Sequence, residues 1–353
     1  MMIMFGNKDR IGWDFVSISL VITVVLVLGV IFVNGWTDAP NAIATAISTR
    51  VLRPKFAIWM AVFMNFLGAL VMTLFNAQVA ETISNMVRFE GAGNSAQVAL
   101  CASLFAIVVW ATAAWYFGIP TSESHALIAG LTGSAMTLGG LDAVNMSEWS
   151  KVLIGLVLST VFGFLGGYLV TKLVEIIFRN VERRKANKMF TAGQAFGAAA
   201  NAFLHGAQDG QKFMGVFMLG LSYNGIVERS ASGNFTIPIW VMMVCSLVMG
   251  FGTSVGGMRI IKSVGMDMVK LETYQGFSAD LSAAICLLTA SMAGIPVSTT
   301  HTKTTAIMGV GAAKRISSVN WQIVKEMILA WVLTFPGCGA IAYFMAKLFV
   351  AIF

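Results

Sequence analysis

The sequence predicts an all-α integral membrane protein built from two inverted-topology repeats of transmembrane helices, with broken helices or half-helices at the midplane. Three observations predict it: a composition too apolar for water, apolar runs of membrane-spanning length, and two short motifs that each occur twice in the same order. The 353 residues are 57% hydrophobic and only 11% charged, with a mean hydropathy of +0.80, far from the balance of a soluble domain. A hydrocarbon core of about 30 Å takes roughly 20 helical residues to cross. Apolar runs of that order lie near 15–33, 56–78, 96–117, 152–178, 237–258, 277–294 and 321–352.

The first run follows Lys8 and Arg10 as a signal peptide would, but it is longer than an h-region and lacks a small-residue cleavage site, so it reads as a membrane helix. The net charge of +7 does not point to nucleic acid, because the basic residues gather in short inter-helix clusters. Arg50, Arg53 and Lys55 form one cluster, and Arg179, Arg183, Arg184, Lys185 and Lys188 form the other. Both read as positive-inside signals, and the second is expected in the cytoplasm. Cys101, Cys245, Cys286 and Cys338 fall in apolar segments without metal-ligand spacing, which points to packing rather than a disulfide or a zinc site. The mixed apolar and charged stretch from Ile260 to Tyr274 reads as an interfacial helix or loop.

The internal repeat organises the rest. A Gly-x-x-Asp-x-x-Asn/Lys pattern runs from Gly35 to Asn41 and again from Gly206 to Lys212, and an Ile-Pro-x-Ser-x-Ser/Thr-His pattern runs from Ile119 to His125 and again from Ile295 to His301. The aspartates, Asp38 and Asp209, lie 171 residues apart (209 − 38) and the histidines 176 (301 − 125), so a short insertion separates otherwise equal halves. This divides the chain into repeats 1–178 and 191–353, joined by a basic linker at 179–190. An odd number of crossings in each half would insert the second upside down, as in many secondary transporters.

Each motif sets Gly or Pro and a polar cluster into an apolar run, which lipid does not tolerate unless protein or a water-filled cavity covers it. Pro120 and Pro296 precede hydroxyl-rich residues and then apolar stretches, as at a helix start. A helix N-terminus offers unpaired N–H groups and partial positive charge, so it holds an oxyanion without a basic side chain. Thr121, Ser122 and Ser124, with Ser298, Thr299, Thr300 and Gln211, are therefore the candidate substrate ligands, suited to a tetrahedral anion such as phosphate or sulfate. Asp38 and Asp209 are carboxylates at membrane depth and functional by default. Flanked by Asn34, Asn41 and Gln208, they form candidate sites for a coupling cation, either Na+ or a proton. A cation beside the anion offsets its charge, and that mutual dependence is what symport requires.

His125 and His301 share one motif position and either line the site or brace its loops. Lys212 either touches the anion or pairs with Asp209, and Asp280, without a matching acid in the first half, either binds a cation or caps a helix. Glu123 stands where Thr299 stands in the second copy, and an acid beside an anion site is unfavourable unless protonated or turned away. A hydrolase using Ser122 or Ser124 with His125 and Asp38 is disfavoured, because catalysis needs one such centre and this motif is duplicated. A channel would spread polarity along several helices rather than concentrate it at breaks.

At these motifs the sequence resembles the inorganic phosphate transporter (PiT) family of phosphate:cation symporters. The resemblance rests on Phe32 to Thr45, His205 to Lys212, the two Pro-to-His motifs, Gly252 to Ile261 and Gln275-Gly276-Phe277. It implies an all-helical inverted-repeat transporter in the cell membrane, with no enzymatic activity and no cofactor. Its partners would be inorganic phosphate, Na+ or H+, the lipid bilayer and, compatibly with the family, a second copy in a homodimer. The family often carries Asn before each motif aspartate, where this chain has Thr37 and Gln208; both keep an oxygen donor. The family also includes sulfate transporters, so phosphate is the leading substrate and another tetrahedral oxyanion the alternative.

Overall fold

The computed structural model describes residues 18–89, 94–119, 121–230 and 233–353; Lys8, Arg10 and Pro120 lie outside the described residues. The first half folds into α1 (Ile18–Thr37), α2 (Pro40–Ser48), α3 (Pro54–Phe75), α4 (Gln78–Ser84), α5 (Asn94–Phe117), α6 (Glu123–Gly139) and α7 (Met146–Phe178). The second half follows with α8 (Arg183–Tyr223), α9 (Ile239–Ser254), α10 (Met258–Lys262), α11 (Thr273–Met292), α12 (Thr299–Lys314) and α13 (Trp321–Ile352). Among the described residues, five spans are long and apolar enough to cross a membrane, and a sixth forms if α9 and the bent segment after it, turned by 65°, count as one. Their outward faces carry side chains such as Phe56, Trp59 and Phe63 on α3 and Leu165, Leu169 and Leu173 on α7, all exposed. Lipid, not water, is the solvent for such surfaces.

Three segments differ from the sequence expectation. The basic linker at 179–190 is a short break, and α8 has begun by Arg183, so most of the cluster lies on helix. The stretch from Ile260 does not lie loose at an interface: α10 and a π turn at Ser263–Asp267 bury Ile260, Ile261 and Val264 in a core with Ile43 and Ala44 of α2. The second aspartate motif does not interrupt a helix at all, since Asp209 sits deep inside the continuous 41-residue α8. By contrast, the first motif does break: α1 ends at Thr37, and Pro40, which has no N–H to donate, opens α2.

The two halves interlock. Across the halves α1 packs on α9 and α8 on α3, and α6 packs on α13 as α12 packs on α7. Glycines set the approach. A Cβ on Gly35 would meet the Met249 carbonyl oxygen at 2.3 Å, one on Gly206 the Asn65 oxygen at 2.2 Å, and one on Gly167 the Ala306 oxygen at 2.2 Å. Backbone therefore packs against backbone at these crossings, the arrangement small residues permit in membrane bundles.

The contact registers give directions. Phe32 meets Gly252 and Trp36 meets Gly257, so α1 and α9 run the same way; Asn65 meets Gly206 and Ala69 meets Gly210, so α3 and α8 do too. Between α3 and α9 the register reverses, with Asn65 at Thr253 and Ile58 at Gly256. Similarly, α6 runs with α13, from Ala126 at Cys338 to Thr137 at Tyr343, whereas Trp149 at the start of α7 reaches back to Thr132 of α6. The matching tight turns before α6 and α12 each place a glycine at positive φ, Gly118 at 70° and Gly294 at 65°, a conformation that glycine, lacking a Cβ, adopts without strain.

Candidate functional site

The two Pro-to-His motifs end at two helix N-termini that face each other. Ser122 caps α6 by accepting from the His125 N–H at 3.3 Å, and Ser298 caps α12 by accepting from the His301 N–H at 3.1 Å. The sequence folds this way because a serine at the cap accepts from the third helical N–H. The Ser298 hydroxyl then donates to the Ser122 hydroxyl at 2.8 Å, so the caps themselves touch. Pro296 lies two residues before its cap rather than inside the helix. Behind the caps, the rings of His125 and His301 meet edge to face with centroids 4.3 Å apart, and His301 lies over Trp331 at 3.7 Å. The histidines thus brace the junction from behind.

Around these caps the structure gathers most of the expected ligands. Asn41 donates to Asp38 Oδ1 at 2.8 Å and to Thr300 Oγ1 at 3.0 Å, and Thr300 also bonds Asp38, tying α2 to the N-terminus of α12. Asn34 donates to Asp209 Oδ2 at 3.1 Å and Thr299 donates to the same oxygen at 3.3 Å. Lys212 pairs with Asp209, its ammonium donating to that carboxylate at 2.7 Å, and it donates as well to Ser124 Oγ at 2.7 Å and to the Val297 carbonyl at 2.5 Å. One buried cation therefore joins an aspartate to both motifs.

Other expected residues turn elsewhere. Gln211 donates to the Asn76 carbonyl at the end of α3, at 2.7 Å, and Gln208 donates to Ser291 and the Ile295 carbonyl, bracing the approach to α12. Thr121 is half-buried just before the α6 cap. Asp280 caps no helix: it sits inside α11, paired with Lys303 and bonded by Thr45 at 2.6 Å. Glu123, buried, accepts from Thr37 rather than facing away from the site.

Sequence reasoning missed a chain that ends on Asp209. His205 Nδ1 lies 2.7 Å from Asn65 Oδ1, and its Nε2 lies 3.4 Å from Asp209 Oδ2. Asn65 spends its amide N–H on Thr253, so its oxygen faces the ring and Nδ1 carries the proton. In the neutral ring Nε2 is then an acceptor opposite a carboxylate, an arrangement that calls for a proton or cation between them. Asp38, His205 and Asp209 bring ligand atoms within 4.8 Å of one another, all buried. Asn34 Oδ1, Asp38 Oδ2, Asn41 Oδ1 and Glu123 Oε2 are also buried without a hydrogen-bond partner. Buried acceptors seldom stay unpaired. Oxygen donors of this kind are the ligands that hard cations take. The only sequence signal for His205 was its place one residue before the second aspartate motif; Asn65 carried none.

Comparison with known proteins agrees over nearly the whole chain. The sequence profile of the phosphate transporter family matches residues 34–342. A probable low-affinity inorganic phosphate transporter from Bacillus subtilis (strain 168) is 38% identical over 338 residues, which cover 95% of this chain and 99% of the relative. A protein of the same description from Rhizobium meliloti (strain 1021) is 38% identical over 320 residues, 90% of this chain and 93% of the relative. Among solved structures, one described as the sodium-dependent phosphate transporter superposes with a TM-score of 0.86 over 96% of this chain and 100% of its own, at 22% identity.

Proposed function

Because this multi-pass chain belongs to the phosphate transporter family, we propose that it takes up inorganic phosphate across the cell membrane by cation symport, with one central site alternately open to either face. The Ser298–Ser122 hydrogen bond carries the reading: two helix N-termini, one from each half, converge on a single point. A tetrahedral oxyanion replacing that bond would receive N–H groups from both helices and the hydroxyls of Ser122, Ser124, Ser298, Thr299 and Thr300, with Lys212 within reach of Ser124. Two equivalent helix ends give the site the same chemistry toward both faces, as alternating access needs.

The helix directions support inverted repeats. Because α1 runs with α9, α9 against α3, and α3 with α8, the first helices of the two halves run in opposite senses. That is the relation expected of halves related by an axis in the membrane plane, with the site where the repeats meet.

Coupling follows from charge. Asp38, Glu123 and Asp209 are all buried here, and Lys212 pairs with Asp209, so a phosphate entering this region meets more carboxylates than ammonium groups. Cations on those oxygens lower the cost of the anion, and the anion tightens the cations by the same factor. Sodium fits the orphaned oxygens of Asn34, Asp38 and Asn41, and a proton fits the His205–Asp209 pair. The name of the structural neighbour speaks for sodium.

The deciding experiment is radiolabelled phosphate uptake into proteoliposomes under imposed sodium or proton gradients, with sulfate and arsenate as competitors. Arsenate competition and gradient-driven uptake are expected, with loss of gradient-driven uptake by at least about tenfold in Asp38→Asn and Asp209→Asn. Flux indifferent to both gradients would remove symport, and sulfate uptake indifferent to phosphate would replace the substrate.

A further inference from the structure

The ion pair of Asp280 and Lys303 stands apart from the duplicated site. Both side chains are at most 2% exposed, among the costliest groups to bury. Thr45 of α2 donates to Asp280 Oδ1 at 2.6 Å, and Asn201 of α8 donates to the Asp280 carbonyl at 2.9 Å, so four helices meet at this charge. Gly197 makes room for it, since a Cβ there would lie 2.8 Å from the Asp280 Cβ.

The repeat supplies an internal control. With the histidine offset of 176 residues, Lys303 corresponds to Leu127 and Asp280 to Leu104; with the aspartate offset of 171, Asn201 corresponds to Val30 and Thr45 to Val216. The anchors hold locally, because Gly118 matches Gly294 in its turn and Gly35 matches Gly206 at its crossing. Val30, Leu104, Leu127 and Val216 are all fully buried in one apolar core. The fold therefore fills this position with hydrocarbon in one half, and in the other it holds a carboxylate, a hydroxyl, an amide and an ammonium. Packing does not require the charges.

The polar version is rich in acceptors. Besides Asp280 Oδ1, which takes both Lys303 and Thr45, the oxygens Asp280 Oδ2 and Asn201 Oδ1 are buried without a partner. Lys303 is the single ammonium in this cluster, a compact monovalent charge on a flexible stem. We propose that this is an additional monovalent-cation site, distinct from the one around Asp38 and Asp209, in which the Lys303 ammonium is a tethered occupant. The chain carries its own cation where α2, α8, α11 and α12 join, two turns beyond Asp38 and one beyond Thr300, and no mobile ion is needed there.

The test removes the tether. Lys303→Met keeps the volume and vacates the charge; Asp280→Asn/Lys303→Met also removes the acid. Melting temperatures of the purified proteins are compared in sodium chloride and choline chloride at equal concentration. Sodium should raise the melting temperature of Lys303→Met beyond any rise in the wild type, by an amount on the order of 3 °C, and the double variant should show only the wild-type response. A wild-type sodium response in Lys303→Met overturns the proposal. Recovery of the double variant but of Lys303→Met in neither salt overturns it too, and so does loss of the double variant, which would make the charges a folding requirement. The readout contains no transport step, so its outcome is independent of the phosphate assignment.

Discussion

Lys212 concentrates the logic of the site in one side chain. It is buried, it neutralises Asp209, and it holds Ser124 and the Val297 carbonyl from the two opposed motifs. Removing one partner of a buried ion pair costs about 3–5 kcal/mol because the other charge is stranded. Lys212→Met should therefore unfold at lower temperature than wild type, and Lys212→Met/Asp209→Asn should recover most of that loss while transporting no phosphate. Thermal unfolding alongside uptake separates the two effects; a single variant with wild-type uptake would take Lys212 out of the site. The sequence reading reached Asp38, Asp209, Lys212 and the hydroxyls because duplication marked them. It did not reach Asn65, Thr45 or Lys303, whose partners lie 140, 235 and 23 residues away and repeat nowhere. It also put Gln211 at the anion: residue 211 shares the motif of Asp209 but, two positions on, occupies another face of α8 and reaches Asn76 instead.

Among the elements, α8 was the hardest to read and matters most. Its central turns carry Asn201, His205, Gln208, Asp209 and Lys212, all buried, so no apolar run marks it in the sequence. Hydropathy reports lipid-facing surface, and the central turns of α8 show little of it, being enclosed by neighbouring helices such as α2, α3 and α11. The lipid-facing α3, α5, α7 and α13 were legible within a few residues for the same reason. The crossing of α8 on α3 depends on Gly206, whose added Cβ would sit 2.2 Å from the Asn65 oxygen, on the residue that orients His205. Gly206→Ala should cost about 1–3 kcal/mol through overpacking and lower uptake further by tilting the imidazole. Gly29→Ala in α1 is the control, since nothing lies within 4 Å of its added Cβ and a helical Gly→Ala exchange is otherwise stabilising. Equal melting temperatures for the two variants would show that α3 and α8 do not need to touch backbone to backbone.

For the whole molecule, the proposed inversion of the halves turns into a statement about sides. Helix α6 runs with α13, and α7, whose Trp149 reaches back to Thr132, runs against α6. The corresponding helices α7 and α13 must then start on opposite faces, although their beginnings are locally alike. Asn145 caps one by accepting from the Ser147 N–H and Asn320 caps the other by accepting from the Gln322 N–H, each at 3.2 Å. Each start also follows a single antiparallel bridge, Val87 to Val144 in one half and Val269 to Val319 in the other. Repetition was legible in the sequence from the motifs alone; helix directions needed contact registers, because parity cannot be counted when α8 is hidden and α2, α4 and α10 are too short to span. In a chain whose four cysteines are replaced, Ser147→Cys and Gln322→Cys should react with a membrane-impermeant thiol reagent from opposite sides of oriented vesicles. Gln322→Cys should label from the face of the Arg50–Lys55 loop, since the bridge partner of its helix, Val269, follows the π turn whose Gly265 packs on Ala44 of α2. Labelling of both cysteines from one side would make the halves parallel copies, and the two helix N-termini would then no longer present equivalent ends to opposite faces.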